Sequence, residues 1–132
     1  MFMSRHRRIR KRTNGGTHSI KDWEDLKKVC DYTCLACRKK EPEITLTEDH
    51  IIPLKKGGTD EIGNIQPLCK SCNSKKHTKI KNYWIMKKET KKQRADRKSM
   101  YISYALRKNK GMVDEEKIIK AAGALFERMN KK

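Results

Sequence analysis

Two pairs of cysteines constrain the fold of this 132-residue chain more than any other feature. The segments CLAC and CKSC each place two residues between their cysteines, which are Cys34, Cys37, Cys69 and Cys72. Two thiolates at this spacing can bind one ion, and four complete a closed tetrahedral site of the structural Zn²⁺ type. A redox role is disfavoured, because the two pairs have identical spacing and neither follows a βαβ pattern.

The segment between the two pairs is longer than the roughly 15–20 residues of a plain four-cysteine zinc module. It contains two β-branched runs, ITLTEDHIIPL and IGNIQPLC, joined by the turn-rich stretch KKGGTDEIGN. This pattern predicts an antiparallel hairpin with a wide loop, whose two ends the zinc would hold together. In so small a core the metal would supply much of the folding free energy.

Helical patterns flank this hairpin. The stretch SIKDWEDLKKVC predicts a helix over residues 20–30, with Ser19 as N-cap, and it places Cys30 as a buried free thiol. The stretch KSCNSKKHTK favours a helix after Cys72, and we expect Trp84 and Ile85 to pack on the zinc module. DEEKIIKAAGALFERM predicts a final helix with one apolar face, made of Ile118, Ala122, Leu125 and Met129, with Ile119 and Phe126 beside it.

The charge distribution indicates a polyanionic partner. The net charge of +18 comes from 34 basic and 16 acidic residues. Residues 1–20 carry no acidic residue, and in residues 81–112 the acidic residues are Glu89 and Asp96. Each Lys or Arg that neutralises a phosphate releases counterions, so two basic flanks around a nearly balanced centre favour nucleic acid over a merely solvated surface.

Three regions follow from these patterns: a flexible basic arm over 1–18, a zinc-braced module over 19–80, and a basic helical extension over 81–132. No stretch approaches the roughly 20 apolar residues of a membrane span. The basic N-terminus lacks the apolar region of a secretory signal. The sequence therefore predicts a cytoplasmic protein with no membrane partner.

A second metal site is predicted near the first strand. Asn73 and His77 are four residues apart and would share a helical face, and a helix packed on that strand would bring them to Asp49. A carboxylate, an amide oxygen and an imidazole make an open site that suits Mg²⁺ or Mn²⁺, with Ni²⁺ or Zn²⁺ as alternatives.

His50 is the candidate general base. Adjacent strand residues point to opposite faces, so Asp49 would hold the ion while His50 takes a proton from water. Asn64 would hydrogen-bond across the loop and hold His50 in one orientation. The alternative is that Asp49 and His50 are a satisfied structural pair. The other two histidines, His6 and His18, are expected to be solvated.

Together these residues resemble the HNH endonucleases, which have a ββα-metal fold. The resemblance covers residues 19–80. It is carried by the first CxxC pair, by TEDHIIPLKKGG, and by GNIQPLC together with Cys72, Asn73 and His77 that follow it. It implies an α+β protein with a small ββα-metal core, braced by the four-cysteine zinc site and flanked by helices and the basic N-terminal arm. By position, the family's ligand before the base falls on Asp49, its base on His50, its central Asn on Asn64, and its third motif position on Asn73. A further ligand of some members falls on His77.

The resemblance also implies the reaction. Water activated by His50 would attack a DNA phosphodiester and leave 5′-phosphate and 3′-hydroxyl ends. One active site would nick, so a double-strand break would need a homodimer or two successive events. The compact chain is similar to phage or mobile-element members that act in a bacterial host. We expect double-stranded DNA to contact Arg7, Arg8, Arg10, Lys11, Arg12, Lys75, Lys76, Lys87, Lys88, Lys91 and Lys92.

Two other functions stay open on the sequence. A non-catalytic zinc module could bind DNA through its basic flanks alone, or the zinc protein could bind RNA. Cleavage that depends on His50 distinguishes the enzyme from the first alternative, and preference for RNA in competition identifies the second.

Overall fold

The computed structural model describes residues 18–112 and 114–131. Its helices and strands follow in the order α1 Ile20–Val29, β1 Leu46–His50, β2 Ile65–Cys69, α2 Lys70–Lys76, α3 Tyr83–Met86, α4 Lys91–Lys108 and α5 Glu115–Met129. Two short 3₁₀ turns, Leu54–Lys56 and Ile62–Asn64, lie in the loop between the strands. The α+β class predicted from the sequence is confirmed.

Helix α1 begins where its capping residues predict. The Ser19 hydroxyl accepts a hydrogen bond from the Asp22 N–H at 3.0 Å, and the Asp22 carboxylate accepts one from the Ser19 N–H at 3.0 Å. This reciprocal pair satisfies two N–H groups that the first helical turn leaves without partners. Asp22 also accepts a hydrogen bond from Arg107 at 2.8 Å, which ties the start of α1 to the end of α4.

The predicted hairpin is present as an antiparallel two-stranded sheet. Leu46 lies opposite Cys69 and His50 lies opposite Ile65, so each strand contributes five residues. Every residue of β2 is buried. The following helix begins at Lys70, two residues before Cys72, with Cys69 in the N-cap position.

The hydrophobic core joins the hairpin to the helices on both sides of it. Its least exposed large side chains are Leu26 of α1, Ile65 and Leu68 of β2, Trp84 of α3 and Phe126 of α5. Trp84 is 1% exposed and its Nε1 donates to the Ile65 carbonyl at 3.4 Å, so its predicted packing on the module is confirmed. Each such side chain contributes about 1.5–3 kcal/mol through burial.

Helix α5 buries a face rotated from the predicted one. Ile118, Ala122 and Phe126 are buried, whereas Leu125 and Met129 are 38% and 40% exposed. Residues at i, i+4 and i+8 drift slowly around a helix, so Phe126 takes the central core position that we expected of Leu125. Neither α5 nor any other helix in the described part of the chain is long and apolar enough to cross a membrane.

A buried arginine joins α4 to both of its neighbours. Arg97 is 4% exposed and donates to the two Glu89 carboxylate oxygens at 2.7 and 2.6 Å and to Asn130 Oδ1 at 2.8 Å. Its guanidinium also lies over the Trp84 ring, 4.5 Å from the centroid. Because the buried charge is paired and hydrogen-bonded on several sides, it fixes the position of α4 against α3 and α5.

Candidate active site and cysteine cluster

The four cysteines of the two CxxC pairs meet at one point, here called the cysteine cluster. Their sulfur atoms all lie within 4.8 Å of one another. The Cys37 and Cys69 sulfurs are 3.8 Å apart. A tetrahedron with metal–sulfur bonds of about 2.3 Å has edges of about 3.8 Å, so the donor set and its spacing fit a metal ion such as zinc.

Backbone hydrogen bonds place the first pair against the second. The Cys34 N–H donates to the Lys39 carbonyl at 2.8 Å, and the Arg38 N–H donates to the Cys34 carbonyl at 2.9 Å, which folds CLAC into a tight turn. The Cys69 N–H donates to the Cys34 sulfur at 3.3 Å. The cluster therefore joins the segment before β1 to the junction of β2 and α2.

The thiols of the cluster interact electrostatically with one another. Burial raises the pKa of Cys34, but backbone hydrogen bonds from Cys37, Cys69 and Ala36 outweigh it and hold that pKa at about 7. Burial, followed by the neighbouring Cys69 and Cys34, raises the pKa of Cys72 to about 12. The Cys34 thiolate thus forms readily, and its negative charge disfavours ionisation of the Cys72 thiol. A bound cation would relieve this repulsion.

The fifth cysteine, Cys30, is not part of the cysteine cluster. Cys30 is 3% exposed, and its thiol donates to the Lys27 carbonyl at 3.3 Å. Burial raises its pKa to about 11. The predicted buried free thiol is confirmed.

Four of the predicted site residues border one open cavity of about 220 Å³, here called the cleft. Asp49 and His50 reach it from β1, and Asn73 and His77 from α2 and its end. A larger cavity of about 500 Å³ between α4 and α5 is lined by residues such as Tyr101, Tyr104 and Leu125 and holds none of the predicted site residues. The chemistry-bearing side chains therefore converge on the smaller cavity.

Asp49 is held by two partners inside the fold. It is 5% exposed, and its Oδ2 accepts a hydrogen bond from Gln66 Nε2 at 2.7 Å and lies 3.2 Å from Lys76 Nζ. Burial raises the pKa of Asp49, and the contacts with Gln66 and Lys76 partly offset that rise. Gln66 faces Asp49 across the strands and also accepts from the Tyr83 N–H at 2.8 Å, so it links the carboxylate to α3.

The expected contact of Lys76 with DNA is wrong, because the Lys76 side chain is buried. The residue is 2% exposed, and its ammonium donates to the His50 carbonyl at 2.9 Å in addition to its ion pair with Asp49. An ammonium held inside the fold cannot reach a phosphate on the surface. Lys76 is therefore a positive charge that compensates Asp49, because it projects inward from α2 onto β1.

His50 contacts a residue that the sequence analysis did not single out. Its Nε2 lies 2.7 Å from Asp60 Oδ1, and Asp60 is 1% exposed. The adjacent side chains Asp49 and His50 thus bond to different parts of the fold. Asp60 stands next to Glu61 in the turn-rich loop, and no local pattern there signals its contact with His50.

Asn64 does span the loop, but its partners are backbone groups and not the His50 ring. Its Oδ1 accepts from the Ile52 N–H at 2.9 Å, and its Nδ2 donates to the carbonyls of Ile52 and Thr59 at 3.0 and 2.7 Å. A Cβ on Gly58 would lie 1.8 Å from the same Ile52 carbonyl oxygen, so the loop requires glycine there. Asn64 and Gly58 together allow the loop to pack against the backbone of Ile52, two residues after His50.

His18 is buried, so its expected exposure is corrected. It is 7% exposed, its Nδ1 lies 2.6 Å from the Asp60 carbonyl, and its Nε2 lies 3.3 Å from a Glu48 carboxylate oxygen. Burial lowers the pKa of His18, but the contacts with Glu48 and Asp60 outweigh it and raise that pKa above its ordinary value. His6 and the expected DNA contacts over 7–12 lie outside the described residues.

The two residues from the α2 end enter the cleft in different ways. Asn73 is in the helix, and its Nδ2 donates to Thr47 Oγ1 at 2.9 Å. His77 follows the helix with φ +53° and ψ −122°, a positive φ that histidine adopts uncommonly, and its side chain is exposed. The sequence placed His77 on the helix with Asn73, but the helix ends at Lys76, and His77 follows it with its N–H bonded to the Asn73 carbonyl at 3.1 Å.

One comparison with known proteins gives a match, and it covers the part of the chain that contains the cysteine cluster and the cleft. Residues 34–89 match the family model described as HNH endonuclease. No curated protein and no solved structure matches the chain. The matched segment contains the cysteine cluster, the hairpin and the cleft, and leaves α1, α4 and α5 outside. The resemblance expected from the motifs is confirmed by this match of residues 34–89 to the HNH endonuclease family model.

Proposed function

We propose that this protein is a metal-dependent endonuclease that hydrolyses DNA phosphodiester bonds. The family implies a nuclease acting on DNA. The observation that carries the finer proposal is the cleft, which Asp49, His50, Asn73 and His77 border together beside a cysteine cluster of metal-site dimensions. A cavity with convergent polar and titratable groups is the expected setting for catalysis.

The proposed ion of the cysteine cluster is structural Zn²⁺. Four thiolates suit zinc, and a site closed by four protein ligands leaves no position for a reacting group. The cluster lies at the base of the hairpin, where it joins the segment before β1 to the start of α2. We assign zinc the role of holding the hairpin in place, separate from the chemistry in the cleft.

The proposed catalytic ion is Mg²⁺ or Mn²⁺, held by Asp49, Asn73 and His77, with Ni²⁺ or Zn²⁺ as alternatives. Gln66 and Lys76 contact Oδ2 of Asp49, and Asn73 uses its Nδ2 on Thr47, so we assign Asp49 Oδ1 and the Asn73 amide oxygen to the ion. Carboxylate and amide oxygens with one imidazole suit these metals. When bound, the ion would stabilise negative charge on the phosphate and on the departing oxygen.

His50 is the proposed general base. Because Asp60 occupies Nε2, the Nδ1 nitrogen is the one assigned to take a proton from water. The activated water attacks phosphorus in line with the 3′ oxygen, which leaves as that P–O bond breaks and takes up a proton from solvent. The products are a 5′-phosphate and a 3′-hydroxyl, and one active site cuts one strand.

The proposed DNA surface is basic and lies on α2 and on the segment from the end of α3 to the start of α4. Lys75 of α2, Lys87 and Lys88 after α3, and Lys91 and Lys92 at the start of α4 are all exposed. The arm residues from Arg7 to Arg12 are proposed to extend this surface. Phosphate contacts of this kind position the duplex and do not read its sequence.

Broader features expected from the sequence stay predictions. They are the division into an arm, a module over 19–80 and an extension over 81–132, the double-stranded substrate, a homodimer, the cytoplasmic location, and the phage or mobile-element origin. The hydrophobic core draws on residues from both sides of position 80, so the module and the extension should fold together.

Metal content tests the zinc assignment. We expect one zinc per chain in the wild type and in Cys30→Ala, because Cys30 is a buried thiol outside the cluster. Cys34→Ala should lose the zinc and the cooperative thermal transition, since a structural zinc site contributes folding free energy directly. Elemental analysis and circular dichroism melts measure both. Retention of a full zinc equivalent by Cys34→Ala would contradict the assignment.

Plasmid nicking tests the nuclease. Zinc-loaded wild type and Cys30→Ala should nick supercoiled plasmid in Mg²⁺ or Mn²⁺ and not in EDTA, with zinc content measured in the same EDTA sample. His50→Ala should shift plasmid in a gel as the wild type does but nick about 10²–10⁴-fold more slowly, because it lacks the base. If wild type and variant both bind and neither cuts in Mg²⁺, Mn²⁺ or Ni²⁺, the non-catalytic binding module takes the place of the enzyme.

The salt dependence of DNA binding tests the proposed surface. Each lost phosphate contact should reduce the slope of log affinity against log salt by about 0.9. Lys88→Gln with Lys91→Gln should therefore lower the slope by about 1.8. The control is Lys117→Gln with Lys120→Gln, which removes the same charge from exposed positions on α5. Equal slopes for the two double variants would show that Lys88 and Lys91 do not belong to the DNA-binding surface. Tighter binding to RNA than to DNA in competition would identify RNA, not DNA, as the partner.

A further inference from the structure

Asp60, in the loop that follows His50, belongs to a group of charged side chains whose other members are His18, before α1, and Glu48 of β1. Asp60 contacts the His50 ring, and His18 contacts both Asp60 and Glu48. His18 lies outside the segment that matches the family model, so the family pattern does not account for it. Asp60, His18 and Glu48 are 1%, 7% and 15% exposed, the last for its side chain alone.

The first contact determines which nitrogen of His50 carries a proton. An ionised carboxylate only accepts hydrogen bonds, so Asp60 Oδ1 at 2.7 Å accepts from Nε2–H. In the neutral imidazole the other nitrogen, Nδ1, then keeps its lone pair. A carboxylate partner at one nitrogen thus fixes both the tautomer and the rotation of a catalytic imidazole.

The second contact keeps Asp60 in the form that this role requires. The Asp60 carbonyl oxygen can only accept, so His18 Nδ1 at 2.6 Å from it carries a proton. His18 Nε2 faces the Glu48 carboxylate at 3.3 Å, and His18 Nδ1 lies 3.4 Å from Asp60 Oδ2. A protonated His18 between two carboxylates compensates their buried charge and favours the anionic form of Asp60.

We propose that Asp60 and His18 are positioning residues for His50: Asp60 holds the ring with Nε2 protonated and Nδ1 toward the cleft, and His18 keeps Asp60 anionic. This inference rests on the proposed nuclease function. Neither residue borders the cleft, so both act through His50 and not on the substrate. The pair extends the site from the matched segment to His18, which precedes the Ser19 N-cap of α1.

The test combines a structural readout with kinetics on the zinc-loaded full chain. Long-range ¹H–¹⁵N spectra report which ring nitrogen of His50 is protonated in the absence of DNA, and plasmid nicking gives kcat and KM. The variants are Asp60→Asn and His18→Gln. The control is Glu61→Gln, which makes the same carboxylate-to-amide change at the next residue, whose own partner is Lys108 on α4.

The proposal expects the Nε2–H tautomer in the wild type and in Glu61→Gln. Asp60→Asn should populate the Nδ1–H tautomer and lower kcat at least about 10-fold, because a base in the wrong tautomer cannot take up the proton. Its KM should stay within about twofold, because the proposed phosphate contacts are unchanged. His18→Gln should also lower kcat at constant KM, since glutamine keeps a donor for the Asp60 carbonyl but not the positive charge.

Each failure has a distinct meaning. If the wild type nicks and Asp60→Asn keeps both its tautomer and its kcat, the proposal is overturned, and an unchanged kcat in His18→Gln removes His18 from it. An Nδ1–H tautomer in the wild type overturns it even if Asp60→Asn does not fold. If the wild type binds DNA and never nicks, the nuclease function fails, while the wild-type tautomer still decides whether Asp60 orients His50.

Discussion

The approach of four cysteine sulfurs to one point is the constraint on which the rest of this structure depends. An isolated two-stranded hairpin is at best marginally stable in water. Here the cysteine cluster joins the segment before β1 to the junction of β2 and α2, so both ends of the hairpin are held. Asp49 and His50 on β1 border the same cleft as Asn73 and His77 because α2 starts at the cluster.

Buried charges around the cleft are compensated by partners from distant parts of the chain. Lys76 pairs with Asp49, and His18 lies between Glu48 and Asp60. Such pairs give little net stability, because desolvation offsets most of the attraction, but an unpaired member would be costly. They therefore position the side chains of the site more than they stabilise the fold, while Arg97 does the same for α4.

The sequence allowed the fold class and the convergence on the cleft to be predicted because both depend on local signals. Cysteine spacing, the Ser19 capping box and the two β-branched runs each act over a few residues. The partners of His50 and Asp49 could not be predicted, since Asp60, Gln66 and Lys76 reach them through loop geometry and strand register. A lysine in a basic helix is expected to be exposed, and only the packing of α2 on β1 shows that Lys76 is buried. His18 follows an arginine-rich segment and was expected to be exposed for the same reason, yet it is buried.

Hydrogen exchange before and after removal of the metal tests most directly whether the cysteine cluster holds the hairpin and the cleft in place. The full chain is compared in its zinc-loaded form and after chelation. The account predicts that the amides of β1 and β2 lose protection by at least about 10-fold when the metal is removed, because the hairpin ends separate and open locally. Equal protection of these amides in the two forms would contradict it.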